Sequence, residues 1–269
     1  MQLLTISQTS KNIKMNISII QSDLYWESPA KNRELFDEKI SSIDSDIDLI
    51  VLPEMFSTGF SMSPENLAEK WQGPTVKWMQ RVATSKKVAL AGSLIVEESG
   101  KYYNRLVFVH PDGSIDHYDK RHLFRMSGEH NSYELGTNRT IVNYKDFRIL
   151  LLVCYDLRFP AWSRNRNDYD MILIVANFPE ARRYAWNALL PARAIENQCF
   201  VAACNRVGQD GNGINFTGDS QIIDPQGKIL ANAKSNENQI ISASLPLQDL
   251  LNFRNSFPAY LDADDFTIK

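Results

Sequence analysis

The sequence is poor in cysteine, and its few cysteines are widely spaced. Cys154, Cys199 and Cys204 are the 3 cysteines among 269 residues, and none of them forms a CxxC pair. This odd and sparse count argues against a disulfide framework and is typical of proteins in a reducing compartment. We therefore expect a cytoplasmic protein.

The chain also lacks an excess of charge of one sign and lacks long apolar runs. Its formal net charge is −3, so nothing indicates binding to nucleic acid or to an anionic membrane. No stretch approaches the roughly 18 apolar residues of a membrane span, and the N-terminal residues contain no apolar core of signal-peptide length. The 4 histidines show no HExxH spacing, so we expect neither a metal nor another cofactor.

Apolar strands and amphipathic helices alternate early in the chain and are mixed with hairpins, which predicts an α/β fold with a mixed sheet covered by helices. We find no linker or repeat, so residues 15–269 are predicted to form one domain. Residues 1–14 are polar and patternless and are predicted as a disordered lead, with Met15 as an alternative start. The glycine-rich stretch 208–213 is predicted as a flexible loop, and Pro191 is expected to kink a helix over 182–197 or to mark the start of a new one. The main predicted strands are 15–21, 47–52, 88–96, 102–110, 114–118, 147–153, 171–176 and 199–203.

Three of the predicted strands run into a reactive polar residue. Glu54 follows strand 47–52, Lys120 follows strand 114–118, and Cys154 follows strand 147–153. Strand ends in α/β proteins are rigid platforms that open into clefts. If these strands are neighbours, the three side chains converge.

Such a set suits acyl transfer through a thioester. A thiol near pKa 8.5 is mostly protonated at neutral pH, and a carboxylate within hydrogen-bond reach can accept its proton and return it to a leaving amine. An ammonium group stabilises both the thiolate and the oxyanion. The turn after Cys154 aims the backbone N–H of Tyr155 at the oxyanion, as in a nucleophile elbow.

Each of the three residues, taken singly, also fits a structural role. A cysteine that ends an apolar strand is usually buried core. Glu54 after Pro53 can cap a helix, and Lys120 stands in a charged run that water can solvate. Spacing alone does not decide between these roles and catalysis.

The segments around the three residues carry more information than their spacing. Residues 52–54 (LPE), 118–124 (YDKRHLF) and 153–160 (VCYDLRFP) resemble the three signature segments of the nitrilase superfamily (carbon–nitrogen hydrolases), in the same order. Segments 55–60, 124–126 and 193–198 are most similar to its ω-amidase branch. The resemblance implies a four-layer αββα sandwich with two mixed sheets. It also implies a homodimer that pairs through helices beside the nucleophile.

The resemblance implies a role for each residue of the set. Glu54 is then the general base, Lys120 the oxyanion stabiliser and Cys154 the nucleophile. A second, supporting glutamate is implied after the lysine segment. Glu129 is the best match for it, and Glu134 is the alternative.

The ω-amidase branch implies a substrate with a terminal carboxamide and a distal carboxylate, such as α-ketoglutaramate, from which ammonia is released. Another amide or N-carbamoyl hydrolase, or a non-catalytic binding protein on the same scaffold, remain alternatives.

Substrate contacts are expected from a few further residues. The loop that carries Asn177 and Phe178 faces the pocket in similar proteins, and Phe60 is another candidate. A guanidinium suits the distal carboxylate, and the candidates for that anchor are Arg125, Arg182 and Arg183. Arg158 either binds a carboxylate or pairs locally with Asp156.

Overall fold

The computed structural model, which describes residues 13–268, contains two large β-sheets and one small hairpin. The strands β1–β15 are Lys14–Gln21, Leu49–Val51, Glu69–Lys70, Ala89–Glu98, Lys101–Val109, Ile115–Asp119, Ile141–Tyr144, Phe147–Val153, Met171–Ala176, Phe200–Asn205, Val207–Gln209, Asn215–Thr217, Gln221–Ile223, Ile229–Asn232 and Gln239–Pro246. The helices α1–α7 are Pro29–Ser41, Pro64–Leu67, Pro74–Lys86, Glu129–Ser132, Pro160–Ser163, Arg183–Asn197 and Leu247–Ser256. Short 3₁₀ turns cover Arg125–Ser127, Cys154–Arg158, Glu180–Arg182 and Ala259–Asp262.

Both large sheets are mixed. The first has the strand order β15-β1-β2-β4-β5-β6, with β3 paired to β4, and the second has the order β14-β13-β10-β9-β8-β7. In the first sheet β1, β2 and β4 run parallel. Because β5 reverses direction and β6 reverses it again, β6 points the same way as β2. In the second sheet β8, β9 and β10 run parallel.

The two sheets pack face to face because their strands are apolar on both sides. In β1 the side chains of Ile17 and Ile19 enter the core between the sheets, whereas Ile20 packs with Phe36 of α1 on the outer face. Alternate residues of a strand point to opposite faces, so a strand buried on both sides reads as a nearly continuous apolar run. Helices α1 and α3 cover the first sheet, and α6 covers the second through residues such as Leu190. The predicted αββα sandwich is therefore confirmed.

One local prediction differs from the structure in its bounds. The loop predicted over residues 208–213 is shifted, because Gly208 and Gln209 belong to β11, which pairs antiparallel with β12 and leaves residues 210–214 as the connecting turn. Gly208 and Gly218 at the base of this hairpin have φ values of 83° and 79°, which glycine adopts at low cost. Pro191 lies inside α6 and removes one helical hydrogen bond, and because α6 runs from Arg183 to Asn197 without a break, the proline does not mark the start of a new helix.

The N-terminal lead predicted over residues 1–14 lies almost entirely outside the described residues. Within the described part, Lys14 already belongs to β1, where it pairs with Pro246 of β15. None of the helices in residues 13–268 has the length and apolarity needed to cross a membrane.

Candidate active site

The carboxyl ends of β2, β6 and β8 carry a cluster of buried ionisable side chains. Lys120 Nζ donates hydrogen bonds to Glu54 Oε1 at 2.9 Å and to Glu129 Oε1 at 3.0 Å. All three side chains are 0% exposed. Cys154 lies beside them, and its thiol donates to the carbonyl oxygen of Asn177 at 3.8 Å.

These strands are not neighbours, unlike the arrangement assumed from the sequence. In the first sheet β4 and β5 lie between β2 and β6, and β8 belongs to the second sheet. The side chains meet because the two sheets are stacked and these strand ends share one edge. Stacking of the sheets thus places Cys154 of the second sheet beside Glu54 and Lys120, which follow two strands of the first.

Two asparagines orient the Glu54 carboxylate. The backbone N–H of Asn177 donates to Oε2 at 2.7 Å, and its side-chain amide donates to the Glu54 carbonyl oxygen at 2.6 Å. Asn104 Nδ2 donates to Glu54 Oε1 at 2.8 Å and to Glu129 Oε1 at 3.2 Å. Ser93 Oγ holds Asn104 through its Oδ1 at 2.9 Å. The carboxylate is therefore fixed before any substrate arrives.

The electrostatics of the cluster keep Lys120 charged and the thiol protonated. Burial alone lowers the pKa of Lys120, but the negative charges of Glu129 and Glu54 outweigh it, and the net pKa is raised. Burial raises the pKa of Glu129, against the opposing effect of Lys120. Burial and the charge of Glu54 raise the pKa of the Cys154 thiol well above its usual value, although Lys120 opposes this. A resting thiol next to a carboxylate suits base-assisted attack rather than a stored thiolate.

The turn at Cys154 is strained and is held by a buried aspartate. Cys154 has φ of 46°, a left-handed conformation that is uncommon for residues other than glycine. Asp156 Oδ2 accepts hydrogen bonds from the Val153 N–H at 3.0 Å and the Tyr118 hydroxyl at 2.8 Å. Its Oδ1 accepts from the His122 N–H at 3.0 Å. The carboxylate thus ties the nucleophile turn to the segment that carries Lys120.

Arg158 does not make the local pair with Asp156, which was one of the two roles expected for it. Since Asp156 is saturated by other donors, Arg158 instead lines a cavity of about 400 Å³ beside Cys154. The Arg158 guanidinium lies 5.6 Å from the centre of the Phe178 ring. It forms no ion pair within residues 13–268.

The cavity is lined by several of the predicted substrate-contact residues, but neither Arg125 nor Arg183 is among them. Phe60, Asn177 and Phe178 line it, as does Tyr155. The ring centre of Phe60 lies 5.0 Å from Lys120 Nζ. Arg125 is exposed and is not among the lining residues. Within the described residues no group of three or more His, Cys, Asp or Glu side chains is arranged to hold a metal ion.

The choice between the two supporting glutamates follows from their surroundings. Glu129 is buried against Lys120, and its Oε2 also accepts the Phe124 N–H at 2.5 Å. Glu134 faces the surface, 3.6 Å from Lys101. Glu129 is therefore the glutamate that shares the lysine with Glu54.

Comparison with known proteins agrees with this geometry. The family model described as carbon-nitrogen hydrolase matches residues 16–255. The chain belongs to the carbon–nitrogen hydrolase family. This hydrolase is 47% identical to the Omega-amidase YafV of Escherichia coli over 94% of its own length and 98% of the relative's. It is 34% identical to the 2-oxoglutaramate amidase of Bacillus subtilis over 93% and 98% of the two chains.

A solved structure supports the same assignment. The crystal structure of XC1258 from Xanthomonas campestris, a CN-hydrolase superfamily protein with an arsenic adduct in its active site, superposes with a TM-score of 0.93. It is 42% identical, and the alignment covers 95% of this hydrolase and 99% of XC1258. The resemblance inferred from the three signature segments is thus confirmed at the level of family and fold.

One residue of the hydrolase's buried network was missed from the sequence. Asn104 lies in the middle of β5 and contacts both carboxylates that face Lys120. Asparagine is depleted in strand interiors, so its presence between Tyr103 and Arg105 indicated a specific polar role for this side chain. The pattern does not say which side chains it contacts.

Gly136 offers a test of how tightly the Lys120 backbone must be held. A Cβ at Gly136 would lie 2.0 Å from the backbone oxygen of Asp119, and the Gly136 N–H donates to the Lys120 carbonyl at 2.9 Å. We expect Gly136→Ala to lower the free energy of unfolding by about 2–3 kcal/mol through overpacking, and to lower kcat because Lys120 is displaced.

The control for this variant is Gly100→Ala. A Cβ at Gly100 meets nothing within 4 Å, but its φ of 76° makes alanine unfavourable. We expect a cost of about 1–2 kcal/mol from that conformation and an unchanged kcat. Urea unfolding and amide hydrolysis measure both effects; equal kcat values for the two variants would contradict the role given to Gly136.

Proposed function

We propose that this hydrolase removes ammonia from the terminal carboxamide of a small dicarboxylic acid monoamide such as α-ketoglutaramate. The observation that carries the proposal is one cavity that is lined by both Cys154 and Arg158, and Arg158 has no ion-pair partner among the described residues. The reacting group and a distal carboxylate can then be bound at once. The relatives named omega-amidase and 2-oxoglutaramate amidase support the same substrate class.

The first half-reaction forms a thioester on Cys154. Glu54 accepts the thiol proton as Sγ attacks the carboxamide carbon. The ammonium of Lys120 and the backbone N–H of Tyr155 stabilise the oxyanion; N–H groups at the start of a helical turn have no partner within it. Glu54 then donates its proton to the leaving nitrogen, and ammonia departs as the C–N bond breaks.

The second half-reaction releases the acid and restores the thiol. A water molecule attacks the thioester carbon while Glu54 accepts its proton. When the tetrahedral intermediate collapses, the C–S bond breaks and the thiolate of Cys154 regains a proton from Glu54. Because Asn104 and Asn177 hold the carboxylate in one orientation, the same group serves both steps without rearrangement.

Arg158→Met tests the distal anchor. We expect kcat/KM for α-ketoglutaramate to fall about a hundredfold, since removal of one partner of a buried charge-assisted contact costs about 2–5 kcal/mol. For butyramide, which has the amide but no carboxylate, we expect kcat/KM to change by less than about threefold.

The matched control is Arg81→Met, because Arg81 is an exposed arginine on α3 outside the cavity. Arg81→Met is expected to leave kcat/KM for both substrates unchanged. An equal loss on α-ketoglutaramate and butyramide with Arg158→Met would show that Arg158 does not bind a carboxylate. Ammonia release measured across a panel of amides and N-carbamoyl compounds tests the substrate class itself.

We also propose that the enzyme acts in the cytoplasm on a small molecule, with neither nucleic acid nor membrane as a partner. The free, buried cysteines Cys154, Cys199 and Cys204 suit a reducing compartment. The homodimer stays a prediction, which sedimentation of the purified enzyme tests.

A further inference from the structure

We propose that Arg182 is a specificity-determining residue that recognises the 2-oxo oxygen of the substrate, next to the carboxylate bound by Arg158. This inference rests on the proposed function and deepens it. It assigns to one side chain the preference for a 2-oxo acid amide over the corresponding unsubstituted or 2-amino compound.

The position of Arg182 makes it available to a ligand. Its side chain lines the same cavity as Arg158 and Cys154, and its backbone is fixed by a hydrogen bond from its N–H to the Pro179 carbonyl at 2.9 Å. Within residues 13–268 its guanidinium forms no ion pair. The next residue, Arg183, shows the contrast, because it is paired with Asp219 at 2.7 Å.

The surroundings of Arg182 hold its guanidinium without saturating it. The guanidinium carbon lies 4.8 Å from the centre of the Phe124 ring, and Nη1 donates to the Met126 sulfur at 3.8 Å. An arginine that packs against an aromatic ring keeps the N–H donors at its edge available, and a thioether is a weak acceptor. Most of the five N–H donors of Arg182 therefore remain free for a stronger acceptor.

The charged side chains that line the cavity favour a ligand with more than one hydrogen-bond acceptor group. The charge of Lys120 is balanced by Glu54 and Glu129. Among the described residues that line the cavity, Asp210 carries the one carboxylate. Its Oδ1 already accepts two backbone N–H groups of its own turn, each at 2.9 Å. Asp210 forms no ion pair with Arg158 or Arg182 within residues 13–268. Two guanidinium groups thus line the cavity, and one carboxylate of the ligand satisfies one of them.

A 2-oxo acid carries a second hydrogen-bond acceptor directly next to its carboxylate. Its carboxylate and its neighbouring carbonyl oxygen both accept hydrogen bonds, and a guanidinium only donates them. A 2-amino acid carries an ammonium at the same carbon, which donates only and is repelled by a second cation. An unsubstituted acid places a methylene there and leaves the donors of Arg182 unused.

The test compares Arg182→Gln with the unmodified enzyme on three substrates. α-Ketoglutaramate, glutaramate and L-glutamine share the carboxamide and the carboxylate and differ at C2 alone. We expect Arg182→Gln to lower kcat/KM for α-ketoglutaramate at least about tenfold, the size of one hydrogen bond to a charged group. For glutaramate we expect kcat/KM to change by less than about threefold. The ratio of kcat/KM for α-ketoglutaramate to that for glutaramate is therefore expected to fall.

Two further variants sharpen the result. Arg182→Lys keeps the charge without the planar fork and is expected to retain part of the preference. Arg81→Gln removes an exposed arginine outside the cavity and is expected to leave kcat/KM for all three substrates unchanged. Thermal unfolding of each variant shows whether the fold is intact.

The outcomes separate this inference from the proposed function. An equal loss on α-ketoglutaramate and glutaramate overturns it, because Arg182 then acts on the carboxylate or on the fold. No loss on either substrate overturns it as well. If the unmodified enzyme turns over none of the three, the proposed function fails, and the inference fails with it.

Discussion

Cys154→Ala is expected to abolish ammonia release from α-ketoglutaramate, with a fall in kcat of about 10⁴-fold or more, since no thioester forms without the thiol. The side chain is 9% exposed and alanine removes a single sulfur atom, so the fold is expected to persist. Circular dichroism checks the fold, and an ammonia assay measures the rate.

The chain offers a matched control for this variant in a second buried cysteine. Cys199 is fully buried in the hydrophobic core and its sulfur faces the Arg193 carbonyl at 3.9 Å. Cys199→Ala is expected to lower stability slightly and to leave kcat unchanged. If Cys154→Ala retained a rate close to that of Cys199→Ala, Cys154 would not be the nucleophile.

Trapping of the intermediate gives an independent readout for Cys154. Rapid acid quenching during turnover, followed by mass spectrometry of the intact protein, is expected to show the mass of the acyl group on the unmodified enzyme. The same mass increase is expected to be absent from Cys154→Ala and present on Cys199→Ala.

Lys120→Met is expected to be the most destabilising change at the site. It leaves Glu54 and Glu129, both 0% exposed, facing each other without the ammonium that they share. Removing one partner of a buried ion pair costs about 3–5 kcal/mol, because an uncompensated charge stays buried. Activity is expected to fall about 10²- to 10³-fold or more, since the oxyanion loses its cation.

The stability loss in Lys120→Met is expected to depend on pH. Without the lysine, burial and the neighbouring carboxylate raise the folded-state pKa of Glu129 further above its unfolded value. The folded state then binds a proton more readily than the unfolded state, so stability falls as pH rises through that raised pKa. Urea unfolding at pH 5.5 and pH 8 is expected to show the larger deficit at pH 8.

A second substitution separates the fold from the chemistry. In Lys120→Met/Glu129→Gln one of the two facing charges is gone, so part of the lost stability is expected to return and its pH dependence to weaken. Activity is not expected to return, because the ammonium is still missing. Unfolding of Lys120→Met that matched the unmodified enzyme at both pH values would refute this account of the cluster.

Local sequence patterns predicted most of the strands, and the structure brings the three reactive positions together. The strands 147–153 and 171–176 have the predicted bounds, because an apolar run bounded by polar residues is encoded in neighbouring residues. The signature segments around Glu54, Lys120 and Cys154 were sufficient to indicate the family, because each is a continuous stretch of a few residues and the three stand in the family's order. The glycines of the hairpin at 208–218 obscured the strand pattern of β11 and β12, since glycine leaves no side-chain alternation to detect.

The sequence by itself determined the family, the layered α/β architecture and the candidate nucleophile, base and lysine. The tertiary structure alone decided their partners: Asn104 between the two carboxylates, Glu129 rather than Glu134 on the lysine, and Arg158 in the cavity rather than on Asp156. Backbone preferences follow from residues a few positions apart. A polar contact joins side chains that are tens of residues apart, such as Lys120 and Glu54 at a separation of 66. Such contacts exist only once the strands have assembled into a sheet and, for Cys154 and Asn177, once the second sheet has stacked on the first, so no local pattern records them.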